Sequence, residues 1–203
     1  MAIYRLYDFL PSGNGYKVRM LLRRLGIDYD LVELDILKGE TRTPEFLAKD
    51  PNGRIPLLQL SDGACLPESG AILYYLAKET PYFPDDKLDQ ARVLQWMFFE
   101  QYSHEPAIAV ARFIHEFEPP DGPRWAEVPR LQEKGYQALG VMETHLQDRA
   151  FFVAETSSIA DIALYAYTHV AEEGGFDLEG YPAVRAWLDR VAAEPGHLPI
   201  TAR

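Results

Sequence analysis

Two short runs carry the residue types that could hold and activate a small polar ligand. Pro51-Asn52-Gly53-Arg54-Ile55-Pro56 turns and enters a strand through an Ile-Pro bond, and Glu68-Ser69-Gly70-Ala71-Ile72 then opens a helix with a carboxylate and a hydroxyl. A proline where a strand begins is tolerated at an edge or in a cis turn, which holds the preceding backbone in a fixed pose. With Ile55 so held, its N–H and C=O are available to pair with an extended peptide, as in strand addition. Glu68 and Ser69, backed by a helix N-terminus, suit the ammonium and carboxylate of an amino acid. The two runs together describe a site for a small acidic peptide.

The elements that must position these residues read clearly in the first part of the chain. Ile3 to Phe9 is rich in β-branched and aromatic residues and reads as a strand, broken by the Pro11-Ser12-Gly13-Asn14-Gly15 loop. Val18, Leu21, Leu22 and Leu25 recur at helical spacing until Gly26 stops them. Tyr29 to Leu34 alternates as a second strand. A short helix spans Pro44 to Lys49, with Thr43 as its N-cap. Pro56 to Leu60 and Ala64 to Leu66 flank Ser61-Asp62-Gly63, a hairpin signal, and a helix runs from Ser69 to Lys78. The order is β-α-β-α-β-β-α, an α/β layer with one antiparallel hairpin.

Thr80-Pro81-Tyr82-Phe83-Pro84-Asp85-Asp86 ends this periodicity and marks a boundary: 1–79, a linker over 80–86, and 87–203. Beyond it the pattern is helical. One long helix covers Leu88 to Phe117, with Pro106 as a kink point. Others cover Val128 to Leu146, with Pro129 in its first turn, the stretch that begins after Ser157-Ser158 and runs to Glu173, and Pro182 to Ala193. Ser158-Ile159-Ala160-Asp161 reads as a capping box with Asp in place of Glu or Gln, a local helix start and not a catalytic motif.

Composition narrows the chemistry. The formal charge is −11, of which 1–79 carries 10 Lys/Arg against 11 Asp/Glu (−1), leaving −10 for the remainder. Such a surface argues against nucleic acid or anionic lipid as partner. No run is long and apolar enough for a membrane span, and a single cysteine, Cys65, allows no intrachain disulfide, so a reducing cytoplasm is the expected location. Cys65 reads as a small buried hydrophobe and not a nucleophile. No histidine or cysteine pair stands at metal-ligand spacing, so no metal is expected.

The motifs taken in order resemble those of the cytosolic glutathione transferases. Leu10-Pro11-Ser12-Gly13-Asn14 follows the first strand, and Gly39-Glu40-Thr41-Arg42-Thr43-Pro44-Glu45-Phe46 precedes Asp50-Pro51-Asn52-Gly53-Arg54-Ile55-Pro56. Glu68-Ser69-Gly70-Ala71-Ile72 then leads into the helical half with its capping box. The resemblance implies an α/β thioredoxin-like N-terminal domain that binds glutathione as co-substrate. It also implies an all-α C-terminal domain supplying most of the acceptor pocket, and a homodimer. The first loop resembles the bacterial serine/threonine-type, theta/nu-like branches; the beta-type cysteine is absent from it.

Carried over residue by residue, the resemblance makes Ser12 the hydroxyl that stabilises the glutathione thiolate. Lowering a thiol pKa by about two units takes roughly 2.7 kcal/mol. A hydrogen bond to a charged group at about 1.5–3 kcal/mol plus a helix N-terminus at about 0.3–1 kcal/mol suffices. Asn14 is either a second contact to the sulfur or the N-cap, and Tyr7 is the rival hydroxyl. Glu68 would pair with the γ-glutamyl ammonium and Ser69 with its carboxylate, while Ile55, posed by Pro56, binds the cysteinyl backbone. Arg42 is assigned to the glycyl carboxylate, with Arg54 or Lys38 as substitutes, since Thr41 stands where relatives often carry histidine.

Phe9, Leu10, Gln101, Tyr102, Glu105 and Ile108 are the candidate acceptor pocket, with His104, Arg112 and Phe113 as further lining and Trp96, Phe98 and Phe99 as packing. The expected reaction is conjugation of glutathione to a small electrophile. The alternatives are glutathione-dependent reduction of a small disulfide and a non-catalytic binding or docking role.

Overall fold

A computed structural model describes residues 4–203; Ile3, where the sequence places the start of the first strand, lies outside the described residues. The chain forms two compact units, one holding residues up to Lys78 together with Pro195–Arg203, the other Glu79–Glu194. The assignment of 87–203 to the helical half thus needs correcting at its end. The tail belongs with the first unit because the Arg19 guanidinium donates to Ile200 O and Ala202 O, each at 2.7 Å, and Tyr16 Oη donates to Leu198 O at 2.8 Å.

In the first unit, β1 (Tyr4–Asp8) and β2 (Tyr29–Glu33) run parallel, joined by α1 (Gly13–Arg24). Strands β3 (Leu57–Gln59) and β4 (Cys65–Pro67) form the antiparallel hairpin, giving the order β2-β1-β3-β4 with Tyr7 opposite Leu57. Helices α2 (Pro44–Leu47) and α3 (Ser69–Ala77) complete the layer. Thr43 caps α2 as its sequence demands, accepting from Phe46 N, and Gly26 ends α1 at φ +65°, a conformation that costs glycine little. Two 3-10 turns that no periodicity in the sequence announces, Ile36–Lys38 and Glu40–Arg42, follow β2. The first is capped by Asp35, which accepts from Leu37 N and Lys38 N.

Helix α1 is buried at every position from Gly15 to Leu22, Lys17 and Arg19 included. The Asp8 carboxylate, fully buried at the end of β1, accepts from Arg19 Nε at 2.8 Å and from Phe9 N at 2.7 Å. The same guanidinium donates to Leu10 O at 2.7 Å. A Cβ at position 15 would sit 1.6 Å from Asp8 Oδ1, so only glycine lets α1 approach the strand end this closely.

The second unit holds α4 (Lys87–Phe99), α5 (Glu105–Phe117), α6 (Val128–Leu146), α7 (Ile159–Thr168) and α8 (Pro182–Ala192). The long helix expected from Leu88 to Phe117 is present, but a π turn over Glu100–His104 joins α4 to α5 immediately before Pro106. Proline has no N–H to donate and its ring crowds the preceding turn; a widened turn just upstream accommodates both.

Helix α7 stops at Thr168 and not at Glu173. Thr168 Oγ1 donates back to Leu164 O at 2.7 Å, Val170 leaves helical geometry at φ −118°, and Ala171–Gly174 continue as a 3-10 turn. Trp96 packs in the core against Phe152, which meets Trp187 edge-on, whereas Phe98 is exposed. The capping box at Ser158 forms. Asp161 also accepts from Phe152 N and Trp187 Nε1, each at 3.0 Å, so the local motif anchors a loop and α8. No helix among the described residues is long and apolar enough to cross a membrane.

Burial raises the Asp8 carboxyl from 3.8 to about 6, against the opposing pull of Arg19. The native state therefore binds this proton more readily than the unfolded chain. The group's contribution to stability is full below about pH 4 and declines as the pH rises to about 6. Urea titrations across this window should show that decline in the parent and lose it in Asp8→Asn; parallel curves for the two proteins would contradict the assignment.

Candidate functional site

The candidate residues of the first unit gather around two helix N-termini and the start of β3. Ser12 is the N-cap of α1, with extended backbone (φ −72°, ψ 124°), and its Oγ accepts from Gly15 N at 3.4 Å. The first helical bond is Tyr16 N to Ser12 O at 2.9 Å, so the N–H groups of Gly13 to Gly15 lie ahead of the ladder and give this end its partial positive charge. Capping uses a lone pair of the Ser12 hydroxyl and leaves its proton to donate. The cap role and the thiolate-stabilising role are therefore compatible.

Helix α3 begins in the same way. Its first bond is Ile72 N to Glu68 O at 2.9 Å, ahead of which stand the N–H groups of Ser69, Gly70 and Ala71. Glu68 holds φ +70°, a left-handed conformation rare for a non-glycine residue and one that clusters at ligand-holding positions. It is exposed, and among the described residues its carboxylate has no hydrogen-bond or ion-pair partner. Ser69 is buried and donates from Oγ to Asn14 Oδ1 at 3.4 Å, joining the two helix ends. Asn14 Oδ1 also accepts from Lys17 Nζ at 2.7 Å. Asn14 thus acts as a bridge and leaves the N-cap position to Ser12.

The Ile55-Pro56 bond is cis. Among the described residues no backbone hydrogen bond uses the N–H or C=O of Ile55, and the β1–β3 ladder begins at Leu57. The Ile55 side chain packs against Tyr7, Phe46 and Leu57, which anchors the residue and leaves its main chain for a partner strand. The turn leading to it is built by Asp50, which is buried and accepts from Asn52 N at 3.1 Å and Arg54 N at 2.9 Å. Gly53 adopts φ +63° there. Arg42 is exposed and donates from Nη1 to Asn52 O at 2.8 Å, tying the 3-10 turn to this loop; Arg54 is exposed. Lys38 is paired with Asp35 at 2.8 Å.

Tyr7 is a strand residue. Its hydroxyl donates to Gln59 Oε1 at 3.1 Å and its ring meets Phe46 edge-on. Cys65 lies half-buried against the same cluster.

The acceptor-pocket candidates divide between the units. Phe9 and Leu10 lie in the loop after β1; Gln101 and Tyr102 are exposed in the π turn, and Glu105 is half-buried. Ile108 is fully buried, near the point where α6 passes at Gly135, so it serves the helical core. His104 is also buried and bonds Thr168 Oγ1 at 2.9 Å, and Arg112 pairs with Glu116 and Glu173. The residues that sequence reasoning missed are Asp8, Lys17, Arg19 and Asp50. Their signal is a charge embedded in an otherwise apolar stretch, visible at Lys17 and Arg19 within a helix of buried neighbours, but their partners are not local.

Residues 2–78 match the family model described as glutathione S-transferase, N-terminal domain, and 102–195 match its C-terminal domain. Among curated proteins, the disulfide-bond oxidoreductase YfcG of Escherichia coli is 32% identical over 194 residues, covering 92% of this chain and 89% of the relative. Among solved structures, a glutathione S-transferase from Pseudomonas fluorescens superposes with a TM-score of 0.95 at 51% identity, covering 99% of this chain and 100% of that one. Ure2p in complex with glutathione superposes at 0.85 with 28% identity, covering 96% and 91%.

Asp50 holds two backbone N–H groups of the loop that poses Ile55. Asp50→Ala should lower unfolding free energy by about 2 kcal/mol, at roughly 1 kcal/mol for each bond lost. Urea denaturation measures this; a change below about 0.5 kcal/mol would show that the turn holds without its carboxylate.

Proposed function

The chain belongs to the glutathione S-transferase family, and on that footing we propose that it binds glutathione and presents its thiolate to small electrophiles. The observation that carries this reading is the Asn14–Ser69 link, which joins the N-termini of α1 and α3 into one polar surface. Together with the unpaired main chain of Ile55, this surface supplies complementary groups for each part of the tripeptide. The γ-glutamyl ammonium goes to Glu68 and its carboxylate to Ser69 and the first N–H groups of α3. The cysteinyl backbone pairs with Ile55 beside cis-Pro56. Arg42, hooked through Asn52 O to the loop that carries Arg54, offers with Arg54 cationic donors to the glycyl carboxylate.

Ser12 donates to the sulfur and Asn14 adds a second donor. Their action is to favour the thiolate, the proton leaving to solvent. The thiolate then attacks an electrophilic carbon and the leaving group departs with the bonding electrons. The first loop holds no cysteine, so glutathione supplies the only thiol at this end of α1. Phe9 and Leu10, in the loop after β1, are proposed to contact the electrophile. A serine-type mechanism, a cytoplasmic location and a homodimer belong to the same reading; the exposed Tyr74, Tyr75, Phe98 and Tyr102 supply apolar surface for a second copy.

A second reading is favoured by the similarity to a disulfide-bond oxidoreductase at 32% identity. The same thiolate can attack a disulfide sulfur, expelling one thiolate and forming a mixed disulfide, which a second glutathione resolves to glutathione disulfide.

The test pairs calorimetric binding of glutathione with turnover of an aryl halide and of a small disulfide. Ser12→Ala should lower kcat by about 10–100-fold, the equivalent of one hydrogen bond to a charged atom, with glutathione affinity changed less than about threefold. Glu68→Gln should weaken glutathione binding by about tenfold or more. The reverse pattern would overturn the division of roles, and turnover of the disulfide alone would select the second reading.

A further inference from the structure

We propose that the tail is a working part of the thiol site: docked on Arg19, residues 200–203 hold the Leu10 carbonyl, and with it the turn that presents the Ser12 hydroxyl. Arg19 is the positioning residue through which they act. The inference rests on the glutathione reading and extends it to a segment remote in sequence from the first loop.

The turn over residues 9–12 closes with Ser12 N donating to Phe9 O at 2.7 Å, and Phe9 N donates to the Asp8 carboxylate at 2.7 Å. Pro11 stands third in it on a trans bond, a place where proline is disfavoured in the commonest turn. Leu10, as the residue before a proline, is also biased away from the helical conformation that such a turn needs. Local preference therefore does not select this turn. The Leu10 carbonyl belongs to its central peptide, and Arg19 Nη2 donates to it at 2.7 Å. That bond sets the direction of the peptide that leads into Ser12.

The same nitrogen donates to Ile200 O at 2.7 Å, so its two hydrogens are divided between the loop and the tail. Nη1 donates to Ala202 O at 2.7 Å and Nε to Asp8 Oδ2 at 2.8 Å. A guanidinium is planar and its donors form a rigid fork, so the acceptors around it fix one another's places. Two of these four acceptors are tail carbonyls. Leu198 and Ile200 are themselves buried, and Tyr16 Oη donates to Leu198 O at 2.8 Å, which seats the tail on α1. With the tail undocked, only Nε and one hydrogen of Nη2 keep their partners, and the fork turns toward water. The Leu10 carbonyl then loses a donor of fixed direction. A working group displaced by about an ångström costs up to about a hundredfold in rate.

The experiment measures steady-state turnover, glutathione calorimetry and thermal melting for the parent and for a chain stopped after Pro199, which lacks both tail carbonyls. The truncation should lower kcat about tenfold and change the glutathione dissociation constant less than about threefold. In a Ser12→Ala background it should cost less than about twofold, because the hydroxyl to be positioned is gone. Arg203→Ala removes the ion pair with Glu33, keeps both carbonyls and should stay within about twofold of the parent kcat. Arg19→Lys keeps a positive charge beside Asp8 without the fork. It should match the truncation, and the two together should lose no more than either alone. Parent kcat in the truncated chain, or an equal loss with and without the Ser12 hydroxyl, would overturn the assignment.

Hydrogen exchange on the intact parent decides the matter if the truncated chain does not fold. Ser12 N–H, bonded to Phe9 O, and Ala202 N–H, bonded to Pro199 O, should be released by one cooperative opening, with protection within about tenfold of each other. A protected Ser12 N–H beside an Ala202 N–H exchanging as in an unfolded chain would refute the proposal. Absence of glutathione binding by the parent would instead overturn the glutathione reading, and this assignment with it.

Discussion

A carboxylate and a guanidinium, both removed from water, hold the working end of the first unit together. Asp8 terminates β1 and fixes Phe9 N, while Arg19 reaches from the middle of α1 to Asp8, to Leu10 O in the loop and to Ile200 O and Ala202 O in the tail. The loop from Phe9 to Pro11 has no ladder to hold it, and these bonds take its place. They set where α1 begins, and with it where the Ser12 hydroxyl and the first N–H groups of the helix stand. The arrangement is costly in desolvation, as the raised Asp8 carboxyl shows, and a buried ion pair is weak support for stability in general. Its effect here is geometric: the Arg19 side chain fixes three backbone carbonyls and the Asp8 carboxylate one backbone N–H.

The same logic of shared acceptors runs through the site. Asp50 holds two N–H groups of the turn before Ile55, Asn14 Oδ1 serves both Lys17 and Ser69, and Arg42 hooks the loop through Asn52 O. Two helix N-termini then offer partial positive charge to a ligand in a chain whose net charge is −11. A carboxylate and a thiolate can be drawn to such a surface only by local groups, since the long-range field opposes them. The peptide end of the site is therefore defined by fixed main chain. On the proposed reading, the same chemistry of thiolate attack serves an electrophilic carbon and a disulfide sulfur alike.

Much of the fold was legible because its signals are local. Thr43 followed by Pro44, the Ser61-Asp62-Gly63 turn, the Ser158 capping box and Pro129 at the start of α6 each announce an element within four residues. The cis bond at Ile55-Pro56 and the helix opening at Ser69 belong to the same class. What escaped the sequence is nonlocal or competitive. Asp8 and Arg19 are eleven residues apart, and nothing local announces that α1 is buried on every face from Gly15 to Leu22. Pro106 announced a disturbance, but its form as a π turn depends on where the widened turn packs best. The early end of α7 reflects the Thr168 hydroxyl returning to Leu164 O, a choice that helical periodicity does not record. The partner of the Tyr7 hydroxyl is likewise nonlocal: Gln59, which pairs with Arg5 on the neighbouring strand, accepts from it.

On the proposed reading one tripeptide bridges the N-termini of α1 and α3 and pairs with the main chain of Ile55. A crystal structure of the protein with glutathione tests it most directly. The sulfur is expected within hydrogen-bond distance of Ser12 Oγ, the γ-glutamyl group on Glu68 and Ser69, and paired N–H and C=O bonds between the cysteinyl residue and Ile55. Glutathione seated with its sulfur against another hydroxyl, or with the Ile55 main chain still unpaired, would contradict it.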